Sequence, residues 1–528
     1  MYTLLGDEAV ALGALHAGLS AAYGYPGTPS TEILEYLMAA PGQHRASWCS
    51  NEKTALETAL GTSFAGQRSL VTMKHVGLNV AADPFINGAL LSIRGGLVVA
   101  VADDPGMHSS QNEQDSRFYA AFALIPCLEP RNQQEAYDMT REAFSISERF
   151  HIPVLLRLVT RLSHARATVI DSPPIPPHGC SKPEGKFGWV ILPAYARQYY
   201  DSLIEKQKAL NEWAAHCAVN RLEKKDPHSV VITSGLGGNY YEENLADLIR
   251  VRAEPSRLHI GAYPVPSVLI RELCAEAQEV LVIEEGQPFI EERLRGILTQ
   301  QISIRGKLDG TVKRSGELDP DIVRSALGLS PHPRTKPPAL NIPNRPAQLC
   351  QGCPHGDSFD TIKKAIADYE PSTVVCTSDI GCYSLGVLPP YAIPESIVCM
   401  GASVGMARGA AEAGIQYAVA IIGDSTFLHS GITALLDTVA QQTPITIIIL
   451  DNSAVAMTGC QDTIIPSEKL RSLIVGAGVE PDHCIELAAK RQLIDENALR
   501  LKAELAYRGV SVILFKRECL EALRRRRM

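Results

Sequence analysis

The chain has 528 residues, of which 45% are hydrophobic and 20% are charged, and its formal net charge is −8. This ordinary globular composition excludes a disordered or fibrous protein, and the acidic balance disfavours a general nucleic-acid surface. The longest apolar runs, such as 445–450, have the length of a strand and fall far short of the ~20 residues that span a bilayer. The N-terminus shows no signal peptide, and the odd count of thirteen cysteines fits a reducing cytoplasm.

Short β-rich runs alternate with helix-period stretches along the chain, which predicts α/β layers with mostly parallel sheets. We expect three doubly wound domains, at 1–165, 228–305 and 348–528, joined by Pro-rich linkers at 166–227 and 306–347. The first linker is expected to carry a helix near 199–220, and a helix is expected at 53–64. Strands are predicted at 69–73, 97–102, 153–159, 229–233, 258–261, 280–284, 374–377, 397–400, 418–422, 445–450 and 510–515.

The sharpest local signal is Gly423-Asp424-Ser425 at the end of an apolar strand. A helix predicted at about 430–442 and a second apolar strand follow, and that strand ends in Asp451-Asn452. This βαβ unit places Asp424 and Asn452 at the carboxyl edge of neighbouring parallel strands, where ligands bind in open α/β sheets. A carboxylate and an amide oxygen there suit Mg²⁺ on a diphosphate, and the spacing resembles the thiamine-diphosphate signature. The alternative is an ordinary strand end with Asp424 as a helix cap.

A thiamine enzyme also needs a carboxyl group that activates the aminopyrimidine ring by proton transfer. Glu52, at the opening of an amphipathic helix, is the candidate. The alternative is a first-turn glutamate that is favoured by the helix dipole.

Several longer motifs carry a recognisable resemblance. In chain order they are Gly24-Tyr25-Pro26-Gly27-Thr28-Pro29-Ser30, Asn51-Glu52-Lys53, Met73-Lys74-His75-Val76-Gly77-Leu78-Asn79, Asp103-Asp104-Pro105-Gly106, Cys350-Gln351-Gly352-Cys353-Pro354-His355, Asp379-Ile380-Gly381-Cys382-Tyr383 and Gly401-Ala402-Ser403. Together they resemble the alpha-subunit family of indolepyruvate ferredoxin oxidoreductase, within the 2-oxoacid:ferredoxin oxidoreductases. The resemblance extends over nearly the whole chain.

The resemblance implies a role for individual residues. Glu52 matches the pyrimidine-activating glutamate and Thr28 a position that touches the oxoacid. Asp424 and Asn452 match the magnesium ligands, with the Ala454 carbonyl as a third. Further cofactor contacts are expected at Gly27, Gly401, Gly423 and Ser425. The three domains then resemble the pyrimidine, transketolase C-terminal-like and diphosphate domains of thiamine-diphosphate enzymes, usually in a dimer.

Four cysteines, Cys350, Cys353, Cys382 and Cys519, match in order the ligands of a [4Fe–4S] cluster in related pyruvate:ferredoxin enzymes. Zinc or free thiols remain the alternatives, since thiolates suit both metals. The usual alpha subunit continues into a ferredoxin-like tail with two cysteine-rich runs, and this chain has neither run before its final Arg524-Arg525-Arg526-Arg527. Among the histidines of the motifs, His108 and His429 are the candidates for substrate contact, while His75 and His355 are expected to be structural.

The expected activity is therefore oxidative decarboxylation of an arylpyruvate-like 2-oxoacid to acyl-CoA, with electrons passed to ferredoxin or another carrier. This reaction requires thiamine diphosphate, Mg²⁺, coenzyme A and a beta-type partner subunit, in a homodimer or an (αβ)₂ assembly. One alternative is a non-oxidative 2-oxoacid decarboxylase or carboligase. Another is a catalytically silent subunit that binds partners.

Overall fold

The computed structural model describes residues 1–182, 187–332 and 347–527. The chain divides into two compact units, Met1–Lys336 and Pro337–Met528. Within the described residues, no helix combines the length and the apolar character needed to cross a membrane. All thirteen cysteines are free thiols.

The first unit contains fourteen strands and thirteen helices among its described residues. The strands are β1 (Tyr2–Leu5), β2 (Ala21–Gly24), β3 (Arg45–Trp48), β4 (Ser69–Lys74), β5 (Leu97–Asp103), β6 (Cys127–Leu128), β7 (Val154–Val159), β8 (Arg166–Val169), β9 (Arg221–Glu223), β10 (Asp226–Ser234), β11 (Pro255–Ile260), β12 (Ala262–Tyr263), β13 (Glu279–Ile283) and β14 (Ser303–Arg305). The helices are α1 (Gly6–His16), α2 (Thr31–Ala39), α3 (Glu52–Phe64), α4 (His75–Val80), α5 (Ala82–Gly88), α6 (Arg117–Ala123), α7 (Gln133–Phe150), α8 (Thr160–His164), α9 (Pro193–His216), α10 (Leu236–Val251), α11 (Ser267–Leu273), α12 (Phe289–Ile297) and α13 (Pro320–Ala326).

Two mainly parallel sheets organise this unit. The larger has the order β12-β6-β7-β5-β4-β2-β3, and the smaller has the order β14-β13-β10-β11-β9. The central strands β4, β5 and β7 are buried along their whole length, as their Val- and Leu-rich runs require of strands covered on both faces. Strand β12 pairs antiparallel with β6, so a segment of the middle region extends the first sheet. Sequence periodicity gave no sign of this pairing.

A buried ion network fixes the loop that follows β5. Arg157 donates to Asp103 over 2.7 Å, and Arg117 pairs with Asp115 over 2.5 Å and with Glu284 over 3.0 Å. Both arginine side chains are fully buried. Because a buried charge is tolerated only when it is paired, these contacts hold the 103–117 loop against the smaller sheet.

The second unit is built on one parallel sheet with the order β16-β15-β17-β18-β20-β19. Its strands are β15 (Val374–Ser378), β16 (Ser396–Ile397), β17 (Tyr417–Gly423), β18 (Thr446–Asp451), β19 (Cys484–Ala488) and β20 (Ser511–Lys516). Its helices are α14 (Pro354–Ile366), α15 (Ala402–Glu412), α16 (Asp424–Thr426), α17 (Ile432–Gln441), α18 (Ser467–Gly476), α19 (Ile494–Ala506) and α20 (Leu520–Arg527). Two apolar clusters cover its two faces.

The predicted fold class, α/β with three mostly parallel sheets, is confirmed. The strand predicted at 397–400 is wrong in extent. Its observed counterpart, β16, is an edge strand of two residues that pair with Thr377 and Ser378. The chain then turns at Gly401, which has a φ of +83°. The predicted linkers hold regular elements, α9 in the first and α13 in the second, while 183–186 and 333–346 lie outside the described residues.

Candidate functional site

The carboxyl edge of β17 and β18 brings together the two residues that the βαβ pattern singled out. The strands are parallel neighbours, with Gly423 opposite Leu450. Asp424 follows the first strand directly, and Asn452 follows Asp451 at the end of the second. The predicted placement at one sheet edge is therefore confirmed. The connecting helix α17 is preceded by a wide turn, Phe427–Gly431, so it begins slightly later than predicted.

Asp424 lies in a strongly anionic environment. Its carboxylate accepts hydrogen bonds from the backbone N–H groups of Ser425 (2.8 Å) and Ser453 (2.9 Å). Burial raises the pKa of Asp424 well above its usual range, and the neighbouring Asp451 raises it further. Neither carboxyl group forms an ion pair with a lysine, arginine or histidine in the described residues. Two buried acids without a basic partner favour a bound cation, which fits the donor chemistry that Mg²⁺ requires.

Asn452 is held by His355, a histidine that the sequence motifs left without a functional role. Its side-chain Nδ2 donates to His355 Nε2 over 3.3 Å, and its Oδ1 accepts from Ala454 N over 3.2 Å. Burial lowers the pKa of His355 to about 4, so the imidazole is neutral and can accept this bond. His355 thereby directs the amide oxygen of Asn452 away from itself. The adjacent Cys-x-x-Cys-Pro-His motif was the only sequence signal for its role.

Gly401 and Gly423 are required by packing within the second unit. A Cβ on Gly423 would lie 2.6 Å from the Tyr383 ring, and one on Gly401 would lie 2.6 Å from the Ser430 Cβ. Tyr383 in turn donates to the Asp379 carboxylate. These close approaches bring the ends of β15 and β17 and the start of α15 together, while contact of the glycines with a cofactor stays a prediction.

Glu52 occupies the first turn of α3 in the other unit. Asn51 caps that helix by accepting from Thr54 N over 2.9 Å. Glu52 is only 6% exposed, and a Cβ on Gly77 would lie 2.5 Å from its carboxylate oxygen. The carboxyl group is thus buried against the first turn of α4, where a glycine makes room for it. This setting is compatible with both the activating role and the simpler helix-dipole role.

The predicted oxoacid contact, Thr28, lies in the loop between β2 and α2. Gly27 N in this loop donates to Thr31 Oγ1 over 3.1 Å. Ser109 Oγ donates to the Thr28 carbonyl over 3.2 Å, which ties the loop to the segment after β5. The loop is therefore held from two sides.

The two candidate histidines lie in different environments. His108 is half-exposed, and its Nε2 lies 3.1 Å from Glu317, which also pairs with Arg161. His429 is buried in the turn before α17, with its Nδ1 2.5 Å from Ser430 Oγ. His429 therefore lies in the second unit, together with Asp424. His108 lies in the first unit, next to Ser109 in the sequence.

The four predicted cysteines converge in the second unit. Arg517 donates to Gly352 O over 3.3 Å, and a Cβ on Gly352 would lie 3.6 Å from Leu520, so the Cys350–Cys353 turn packs on the segment that carries Cys519. Burial raises the pKa of Cys382 to about 12, with added effects from the neighbouring thiols Cys353, Cys519, Cys350 and Cys460. A shared thiol environment of this kind fits a thiolate-bound centre.

Cys460 is a fifth member of this group that the sequence motifs missed. It packs against the small buried cluster of Cys519, Ala522 and Ala454. Its loop is held by the bridge of Val455 to Gln461 and by Arg525, which donates to the Gly459 carbonyl. Nothing in its spacing from the other cysteines indicated this proximity, because the contact depends on how α20 folds back.

In the ranges 1–182, 187–332 and 347–527, no group of three or more His, Cys, Asp or Glu side chains is arranged to hold a metal ion. The predicted magnesium site uses one carboxylate, one amide and one backbone carbonyl, so it would not form such a group. In a [4Fe–4S] cluster each thiolate binds a different iron, so the sulfurs lie farther apart than around a single ion.

Comparison with known protein families defines the class. Residues 379–482 match the family "Thiamine pyrophosphate enzyme, C-terminal TPP binding domain", and this range contains Asp424 and Asn452. Residues 12–174 match "Pyruvate flavodoxin/ferredoxin oxidoreductase, thiamine diP-bdg", and this range contains Thr28 and Glu52. Together with the relatives described next, these matches make the chain a thiamine-diphosphate-dependent 2-oxoacid oxidoreductase.

The relatives identify the branch of this class. The chain is 36% identical to the indolepyruvate oxidoreductase subunit IorA of Archaeoglobus fulgidus, over 98% of this chain and 86% of that protein. It is 40% identical to the subunit of the same name from Methanothermobacter marburgensis, over 87% of this chain and 76% of that protein. A solved 2-oxoglutarate:ferredoxin oxidoreductase from Magnetococcus marinus is similar with a TM-score of 0.48 and 18% identity, over 58% of this chain and 62% of that one. The chain belongs to the IorA family of 2-oxoacid:ferredoxin oxidoreductases.

Proposed function

We propose that the chain is the cofactor-carrying subunit of an enzyme that oxidatively decarboxylates an arylpyruvate of the indolepyruvate type. The 2-oxoacid loses CO₂, its acyl group forms a thioester with coenzyme A, and two electrons leave for ferredoxin or another carrier. The names of the relatives, indolepyruvate oxidoreductase subunits, support the aromatic substrate.

Bound thiamine diphosphate supplies the electron sink for the carbon–carbon bond that breaks. Asp424, Asn452 and the Ala454 carbonyl would hold Mg²⁺, with its other oxygens from diphosphate and water. The buried acid pair of Asp424 and Asp451 supports this assignment because it has no basic partner among the described residues. Glu52 would exchange a proton with the pyrimidine ring.

One observation favours the oxidative reaction over simple decarboxylation. The backbone N–H of Cys519 donates to the carbonyl of Asn452 over 3.0 Å. Cys353 is the residue just before helix α14, and His355 in the first turn of that helix contacts the Asn452 side chain. The cysteine group therefore adjoins a predicted magnesium ligand directly. Cys350, Cys353, Cys382 and Cys519 would hold a [4Fe–4S] cluster, which would supply a one-electron acceptor next to the residues proposed to bind Mg²⁺.

The remaining site residues take supporting roles in this proposal. Thr28 contacts the oxoacid, and His429 and His108 are the candidates for further substrate contact. Ser425 bonds Asp424 through its backbone N–H, which positions the carboxylate. The residues proposed to line the cofactor are Gly27, Gly401, Gly423 and Ser425.

The enzyme would work with other subunits in the cytoplasm. The relatives are each described as one subunit of an oxidoreductase, which supports a beta-type partner and a homodimeric or (αβ)₂ assembly. Thirteen free thiols suit a reducing compartment.

The test is an anaerobic assay of the purified chain together with its partner subunit. Viologen reduction is measured over a panel of arylpyruvates, with pyruvate and 2-oxoglutarate as controls, with and without coenzyme A. Reduction that is strongest for arylpyruvates and depends on coenzyme A supports the proposal. Release of an aldehyde without viologen reduction would favour the non-oxidative decarboxylase, and a failure to bind thiamine diphosphate would favour the partner-binding subunit.

A further inference from the structure

A buried lysine lies at the edge of the first sheet, close to the predicted substrate loop. Lys74 is the last residue of β4 and is only 8% exposed. Burial lowers the pKa of its ammonium group to about 8. Lysine is seldom buried without a charged partner, since its desolvation is costly.

The ammonium group has only neutral partners within hydrogen-bond distance among the described residues. Its Nζ donates to the Ser109 carbonyl over 2.6 Å and lies 3.4 Å from Ser109 Oγ. The nearby Asp104 carboxylate is bonded instead to Ser110 Oγ over 2.5 Å and Thr160 Oγ1 over 2.7 Å. Asp104 therefore acts on Lys74 through its charge alone and forms no direct hydrogen bond with it, which leaves the ammonium group able to bind an anion that enters from outside.

The position of Lys74 relates it to the substrate loop. A Cβ on Gly27 would lie 3.2 Å from the Lys74 Cβ, so the lysine stem packs against that loop. Ser109 connects the two, because it accepts from Lys74 and donates to the Thr28 carbonyl over 3.2 Å. An anion that contacts Thr28 would therefore come close to the ammonium group.

We propose that Lys74 binds the carboxylate of the 2-oxoacid, beside Thr28. This inference rests on the proposed function, because it takes the substrate class from there. A 2-oxoacid carries one carboxylate, and a charge-assisted hydrogen bond from a buried ammonium group is among the stronger polar contacts available to it. Lys74 would thus distinguish the acid from a neutral analogue of the same shape.

The experiment compares an arylpyruvate with its methyl ester, which lacks the negative charge. Apparent dissociation constants of both are measured by competition in the complete complex loaded with thiamine diphosphate and Mg²⁺. In the wild-type enzyme the acid should bind about 10–100-fold more tightly than the ester, the range expected for a hydrogen bond to a charged group. In Lys74→Met this preference should disappear, while the ester binds as it does to wild type.

Two further variants keep the test decisive. Lys206→Met, on α9, removes another partly buried ammonium group, whose only hydrogen bond among the described residues is to the backbone carbonyl of His151, and should leave the preference intact. Lys74→Gln retains an N–H donor for Ser109 and replaces Lys74→Met if circular dichroism shows that the latter is unfolded.

The possible results separate cleanly. A Lys74 variant that keeps the wild-type preference for the acid overturns the inference and leaves the proposed function standing. Equal weakening of acid and ester, with a lowered melting temperature, indicates a purely structural lysine and also overturns it. Wild-type enzyme that binds none of the 2-oxoacids contradicts the proposed function itself.

Discussion

Replacing Asp424 with asparagine should affect cofactor binding strongly and folding only slightly. The carboxylate is proposed to be the charged protein ligand of Mg²⁺, and breaking a buried charge pair typically costs about 3–5 kcal/mol. We therefore expect Mg²⁺-dependent binding of thiamine diphosphate to weaken by on the order of 10²–10³-fold. In the metal-free protein, asparagine can still accept one of the two backbone N–H bonds that Asp424 accepts now. Below about pH 4, where Asp424 is protonated in both the folded and the unfolded state, the lost bond costs about 1 kcal/mol, or a fall of about 2–4 °C in Tm for a unit of this size.

The pH dependence of stability provides a second readout for the same variant. Burial holds the pKa of Asp424 above its ordinary value of 3.8, so the metal-free folded state binds a proton that the unfolded state has lost. Stability should therefore fall as pH rises from about 4 toward the raised pKa, and Asp424→Asn should remove that decline.

Isothermal titration calorimetry with Mg²⁺ and thiamine diphosphate checks the binding, and thermal melts from pH 4 to pH 8 check the stability. Asp437→Asn, an exposed acid on α17, is the control and should leave both unchanged. Unaltered Mg²⁺-dependent binding in Asp424→Asn would refute the assignment of this residue as the metal ligand.

Three other variants test the remaining parts of the site. Glu52→Gln should keep cofactor binding but lower turnover by about 10²–10⁴-fold, since an amide cannot relay the proton; unchanged C2–H exchange of bound thiamine diphosphate, measured by NMR, would exclude Glu52 as the activator. His355→Ala should free the Asn452 amide and weaken Mg²⁺ binding by about 10–100-fold, because a metal ligand that loses its hydrogen-bond partner is no longer held in place. Calorimetry showing wild-type affinity would contradict this. Cys519→Ser should lower the iron content from about four per chain, whereas the matched Cys460→Ser should not; equal iron in both variants would argue against Cys519 as a ligand.

The placement of Asp424 and Asn452 at one sheet edge could be predicted because the sequence pattern behind it is local. An apolar strand, an aspartate, a crossover helix and a second apolar strand allow few other arrangements, and parallel neighbours must end at one edge. The strands β17 and β18 could be recognised for the same reason. Strand β2, by contrast, has the sequence Ala-Ala-Tyr-Gly, with neither β-branched residues nor clear alternation. The sequence therefore does not predict this strand, although it leads into the Thr28 loop.

Contacts between distant segments could not be predicted. His355 and Asn452 are 97 positions apart, and only the folded unit brings the ring to the amide. The approach of Cys460 to Cys519 likewise depends on how helix α20 lies against the 455–461 loop. Lys74 stood within a recognised motif, but its burial and its contact with Ser109 appear only in the structure. Sequence periodicity indicates which face of a helix or strand is apolar, but it does not predict which distant residues contact that face.

The central claim is that electrons from a decarboxylated 2-oxoacid leave through the four-cysteine centre beside Asn452. The most direct measurement is the visible and EPR spectrum of the complex, purified anaerobically with its partner and loaded with thiamine diphosphate and Mg²⁺, before and after addition of an arylpyruvate. We predict a broad absorption at ~400 nm that bleaches on addition of the arylpyruvate, together with the EPR signal of a reduced [4Fe–4S] cluster. Both changes should be lost in Cys519→Ser. Protein with zinc in place of iron, or a spectrum unchanged while aldehyde is released, would contradict the account.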